Sequence, residues 1–88
     1  MKKKFEDYLI EKGYKQYTKD GKPSTVYDYV KRVESVCNNE GCDWDALANN
    51  ISIIVQKYDK GGQNEDFGSK SHDAVINALK RFRDFING

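Results

Sequence analysis

Asp43-Trp44-Asp45-Ala46-Leu47-Ala48-Asn49-Asn50-Ile51-Ser52-Ile53-Ile54-Val55-Gln56-Lys57-Tyr58 is the stretch that decides the fold class. Trp44, Leu47, Ala48, Ile51, Ile54, Val55 and Tyr58 recur at steps of three and four, the spacing that lines one face of an α-helix. Asp43 stands where an N-cap belongs, with a carboxylate able to accept from a free backbone N–H. Asp45 adds a first-turn negative charge that complements the helix dipole. Asn49-Asn50 is a weak point, because a short amide side chain competes for backbone hydrogen bonds. The segment therefore reads either as one bent helix or as two short ones.

The same period continues on both sides. Upstream, Ser24 is a candidate N-cap, and Val26, Tyr29, Val30, Val33, Val36 and Cys37 form an apolar stripe that ends at Asn38-Asn39-Glu40-Gly41. Further upstream, Phe5, Tyr8 and Leu9 mark a helix from Lys3 to Lys12, stopped by Gly13 in the left-handed position common after helices. Tyr14 to Pro23 between them is a basic loop with a turn at Asp20-Gly21. Its flanks do not alternate, so a β-hairpin is not expected. Downstream, Lys60 to Lys70 reads as a loop anchored by Phe67, and Ser71 as the cap of a last helix. That helix buries Ala74, Val75, Ala78, Leu79, Phe82, Phe85 and Ile86 and ends at Gly88. The expected fold is all-α, a single domain over residues 1–88: a compact four-helix bundle with one longer basic loop.

Composition narrows the function. Apolar residues make up 38% and charged residues 33%, and six Tyr, four Phe and one Trp carry much of the burial. No apolar run approaches the roughly 20 residues that span a bilayer. Met1-Lys2-Lys3-Lys4 is followed by Phe5-Glu6-Asp7-Tyr8 and not by an apolar secretory segment, so a cytoplasmic location is expected. Cys37 and Cys42 with the single His72 cannot assemble a four-ligand zinc site. A reducing compartment would keep both thiols free, Cys37 in the core and Cys42 at a helix edge, and only an oxidising one would join them.

Catalytic and cofactor motifs are missing. In Gly61-Gly62…Gly68-Ser69-Lys70-Ser71 a serine separates the last glycine from the lysine, and a helix precedes where a P-loop needs a strand. A weaker reading remains, in which Ser69, Lys70 and Ser71 at a helix N-terminus touch one phosphate. Glu6/Asp7 and Glu65/Asp66 are adjacent pairs that diverge on a helix, so neither makes an acid–base dyad. His72 reads as a surface or packing residue. The expectation is a non-enzymatic protein without cofactor or small-molecule substrate.

Charge is segregated along the chain although the net is only +1. Residues 1–32 hold nine Lys/Arg against five Asp/Glu, residues 33–68 two against seven, and residues 69–88 four against two. If folding brings the two ends together, one face is basic and another acidic. The candidate polyanion contacts are Lys15, Lys19 and Lys22 of the loop, Lys31 and Arg32 of the second helix, Lys70, and Lys80, Arg81 and Arg83 of the last helix. Tyr14 and Tyr17 interleave with the loop lysines, as they would for contact with phosphates, sugars or bases. Asp43, Asp45 and Asp59 represent the acidic face, which would suit a basic partner. Exposure of Tyr14, Tyr17 and Tyr27 as a cluster would favour a protein interface.

Phe5-Glu6-Asp7-Tyr8-Leu9 with Gly13, a basic loop, and then Ser24-Thr25-Val26-Tyr27-Asp28-Tyr29-Val30 resembles the N-terminal SAM-like core-binding domain of tyrosine recombinases, the phage integrases. Ala78-Leu79-Lys80-Arg81-Phe82-Arg83-Asp84-Phe85-Ile86 resembles the last helix of that domain. Ser24-Thr25-Val26-Tyr27 departs from the family's Ser-x-x-Thr, and no Arg…His-x-x-Arg…Tyr catalytic constellation follows within the 88 residues. The resemblance implies a module that clamps duplex DNA by phosphate contacts from the loop, the second helix and the last helix. The alternative is a small mobile-element or phage protein that binds and inhibits a host nucleic-acid-processing complex through protein contacts, in the manner of anti-CRISPR proteins.

Overall fold

Every helix in the chain packs against one helix, the last. The elements are α1 (Lys2–Glu11), α2 (Thr25–Glu40), α3 (Trp44–Asn49), α4 (Ile51–Tyr58), α5 (Glu65–Gly68) and α6 (Lys70–Asn87), with no β-strand. A computed structural model describes all 88 residues, and α6 touches each of the other five helices. Its stripe of Val75, Ala78, Leu79 and Phe82 is buried as the periodicity requires. Ile76 lies off that stripe and is buried too, because α6 is enclosed on more than one side.

The all-α bundle expected from periodicity is the one observed, with two refinements. The third helical block is two helices: Asn50 leaves helical geometry at φ −117° and ψ 20°, and its Nδ2 donates to the Ala46 carbonyl at 3.0 Å. The side chain thus takes over a backbone acceptor at the break. The expected loop 60–70 contains the single turn α5, which holds Phe67 edge-on to Tyr58 at 5.6 Å.

Burial explains why the valine-rich α2 is a helix at all. Val26, Val30, Val33, Val36 and Cys37 all enter one core of 17 residues, and each fully buried aliphatic side chain contributes about 1.5–3 kcal/mol. That outweighs the few tenths per residue by which valine disfavours a helix. Aromatic rings close the bundle: Phe5 meets Phe82 at 5.2 Å, Trp44 meets Phe82 at 5.4 Å and Tyr8 meets Phe85 at 5.3 Å. The two ends of the chain are therefore neighbours, as a shared face would need.

Helix ends follow two rules and break a third. Gly13 and Gly41 take φ of 94° and 68°, and the amides of Tyr14 and Cys42 reach back to the carbonyls of Leu9 and Cys37, closing α1 and α2 in the same left-handed manner. Asp43 caps α3 by accepting from the Ala46 N–H at 2.8 Å, as expected. The serine caps differ from expectation. Ser24 holds the N-cap position of α2 but its hydroxyl makes no cap bond. The Val26 amide is instead satisfied by the Lys15 carbonyl at 3.0 Å. Ser71 is not a cap: Ser71, His72 and Asp73 have φ of 56°, 57° and 66°, one left-handed turn at the start of α6. This turn links α5 to the regular part of α6, with the Asp73 amide donating to the Ser69 carbonyl at 3.0 Å.

The far ends of α2 and α4 are pinned by a polar network. The Tyr58 hydroxyl donates to Glu40 Oε2 at 2.7 Å and accepts from Asn39 Nδ2 at 2.6 Å, while Lys57 donates to Glu40 Oε1 at 3.1 Å. Burial by itself would raise the Glu40 pKa. The hydrogen bonds from Tyr58 and Lys57 and the Lys57 charge outweigh it and hold the carboxyl below its usual range. Burial and the Glu40 bond push the Tyr58 phenol above its usual value.

Candidate nucleic-acid interface

Loop 14–24 is more ordered than its sequence suggests. No strands form, but Tyr17 and Pro23 make a single antiparallel bridge. The Thr18 amide donates to the Lys22 carbonyl at 2.8 Å, the Ser24 amide donates to the Gln16 carbonyl at 3.1 Å, and Thr18 Oγ1 accepts from the Lys22 amide at 3.2 Å. With Lys15 bonded to the start of α2, the loop is braced at base and tip. The absence of strands matches the lack of alternation in its flanks, and main-chain bonds with a threonine hydroxyl order the loop instead.

This bracing presents Lys15, Lys19 and Lys22 on an ordered backbone. All three are exposed, and none forms an ion pair. Tyr17 between them is 59% exposed, Tyr27 on α2 is 46% exposed, and Tyr14 is half-buried against Tyr29 at 5.3 Å. Lys31 is exposed with its ammonium 5.3 Å from the centre of the Tyr27 ring. Beside the loop, α1 and α2 leave a groove of about 440 Å³, with Val26 and Val30 on its floor, Tyr17, Pro23 and Tyr27 along it and Lys31 at its rim.

The remaining predicted cations are not joined to that face as free charges. Lys80 pairs with Asp59 at 3.3 Å, and Arg81 with Asp84 at 3.1 Å, while Arg83 Nε is 4.0 Å from the same carboxylate. Arg32 lies about 100° round α2 from Lys31; it is half-buried, and its buried Nε lacks a hydrogen-bond partner. Lys70 lies over the Phe67 ring at 4.6 Å, and the Ser69 hydroxyl donates to the Asp66 carbonyl at 3.2 Å. The left-handed turn at 71–73 also removes the regular helix start that a phosphate contact at Ser69-Lys70-Ser71 would use.

The acidic residues are distributed differently from expectation. Asp43 is engaged as a cap and Asp45 is exposed on the first turn of α3. Asp59, at the end of α4, accepts from the Lys60 amide at 2.9 Å. That bond, the largest influence, with Lys80 adding less, holds its pKa below the usual carboxylate range despite the opposing effect of burial. A second cleft of about 430 Å³ gathers Asp59, Glu65, Asp66 and Asp73 with Lys60 and Lys80, so carboxylates outnumber lysines there. No cluster of His, Cys, Asp and Glu has the arrangement to hold a metal ion, and no helix is long and apolar enough to cross a membrane. Cys37 is buried and Cys42 half-buried, both as free thiols.

Sequence reasoning missed the α1 wall of the groove, formed by Lys2 and Glu6, and the part played by Gln16. It had one usable signal, Tyr27 and Lys31 at i and i+4 off the apolar stripe of α2. Comparison with protein-family models, with curated proteins and with solved structures finds no match for this chain.

Proposed function

We propose that the protein is a non-enzymatic DNA-binding module that grips phosphates with its braced basic loop and the adjoining face of α2. One observation carries this reading: Lys15, Lys19 and Lys22 project from a main-chain-stitched loop without acid partners, next to exposed Tyr17. Ordered, unpaired cations release phosphate counterions on binding without first breaking an ion pair. The resemblance to the integrase core-binding domain supports duplex DNA as the polyanion. Within that resemblance the loop and α2 matter more than the last helix, whose cations lie beside Asp59 and Asp84.

Replacing Lys15, Lys19 and Lys22 together by Ala tests the proposal. Loss of three phosphate contacts lowers the slope of log affinity against log salt by about 3. The corresponding Lys80, Arg81 and Arg83 triple has a much smaller effect. Salt-insensitive binding, or equal losses from the two triples, refutes the assignment. The second reading, inhibition of a host nucleic-acid-processing complex by protein contacts, is favoured by the exposure of Tyr17 and Tyr27 together. It is distinguished by co-purification with a host protein in the absence of any DNA affinity.

A further inference from the structure

We infer that the groove between α1, the loop and α2 receives one unpaired base of a nucleic-acid strand whose phosphates lie along the loop lysines. The preferred ligand would then be single-stranded or locally opened, in place of the intact duplex that the resemblance implies. The inference rests on the nucleic-acid reading above and names the substrate class of the same site.

The groove is the right kind of space. At about 440 Å³ it falls in the range of small-molecule sites. Its lining combines buried Val26 and Val30 with polar Gln16 and charged side chains, so a planar base finds both apolar surface and hydrogen-bonding groups there. Two tyrosines line it and both are largely open to solvent, Tyr17 at 59% and Tyr27 at 46%. Water-exposed tyrosine rings on an ordered backbone gain from stacking and lose little freedom on binding. The bridge from Tyr17 to Pro23 holds the first ring's backbone, and α2 holds the second.

Charge selects the occupant. Of the two carboxylates in the lining, Glu34 is paired with Lys2 at 3.1 Å, while Glu6 shares Lys3, at 3.7 Å, with the nearer Asp7 at 3.1 Å. The unpaired lysine in the lining is Lys31, and Lys15, Lys19 and Lys22 belong to the loop whose Gln16, Tyr17 and Pro23 form one wall. An aromatic groove with an unpaired ammonium group in its lining, beside a lysine-bearing loop, suits a chain that alternates flat rings with anions. A proline-rich peptide would use the rings but leave those cations unanswered. Lys31, now over the Tyr27 ring at 5.3 Å, is placed to move onto a phosphate as a base approaches that ring.

The test uses the full chain and a mixed-sequence DNA strand of about 16 nucleotides, offered free and annealed to its complement, with affinity read by fluorescence anisotropy. The free strand should bind more tightly than the duplex. Tyr17→Ala and Tyr27→Ala should each weaken the free strand about fivefold to a hundredfold and the duplex by less than about twofold. Tyr17→Phe should restore single-strand binding, since stacking needs the ring and not the hydroxyl. If the tyrosine variants leave both affinities unchanged, or lower them equally, while the loop-lysine triple still abolishes both, the base site is wrong and the DNA reading stands. If neither form binds, both readings fail.

Discussion

Tyr58→Phe removes one oxygen from a side chain that is 1% exposed, and its cost can be worked from its partners. The hydroxyl donates to the ionised Glu40 at 2.7 Å and accepts from Asn39 at 2.6 Å. A hydrogen bond to a charged group contributes about 1.5–3 kcal/mol and a neutral one about 1 kcal/mol. Asn39 is exposed and can turn to water, and Glu40 keeps Lys57 at 3.1 Å, so part of this is recovered. The ring stays packed on Phe67, leaving a net loss of about 2 kcal/mol. Against a total of about 4–13 kcal/mol for 88 residues, that is a sizeable share. It should lower Tm by about 8–16 °C.

Urea denaturation monitored by circular dichroism reads this directly, with the midpoint falling and the m value unchanged. The effect should also depend on pH. The Glu40 pKa is depressed in the folded state, so its contribution is complete above the unfolded carboxylate value of about 4.3 and disappears as pH falls through the folded value. Because Tyr58 supplies part of that depression, the gap between parent and variant should narrow in acid. A variant within about 0.5 kcal/mol of the parent, or a gap that stays constant through the acid range, would refute the role given to this network.

Phe82→Ala opens a hole between Phe5, Trp44 and Phe85 and should cost about 3–5 kcal/mol; a red-shifted Trp44 emission and an early thermal transition would show it. His72→Gly should stabilise by about 1 kcal/mol, since exposed His72 sits at φ 57° and a non-glycine residue there is strained, whereas His72→Val should destabilise in the same thermal assay. Burial first, and Cys42 second, push the Cys37 thiol from 9.0 up to about 12, so at neutral pH a thiol reagent should label Cys42 quickly and Cys37 only on unfolding. Stability from Cys37 should be intact below about pH 9 and drain away as pH climbs toward about 12.

The sequence by itself determined where the helices lie and which faces they bury. Apolar spacing at Val26–Cys37 and Trp44–Tyr58 is a local property, read within a few turns, and the burial pattern of α2, α3 and α4 follows it closely. The Asn50 break was visible as an amide pair, although only the side chain's bond to Ala46 decided that it divides two helices. Ser71 misled, because a serine before an apolar run signals a cap only if the backbone enters the helix directly, and here a left-handed turn intervenes. Only the tertiary structure decided which cations are free. Lys80 meets Asp59 from 21 positions away, a distance that no local rule spans. The loop lysines make no ion pair although Asp20 is adjacent in sequence, an outcome that their spacing did not reveal. Side-chain periodicity is set by the geometry of the chain's own backbone. Ion pairing is set by whatever the fold carries within about 4 Å, and that information resides in the packing.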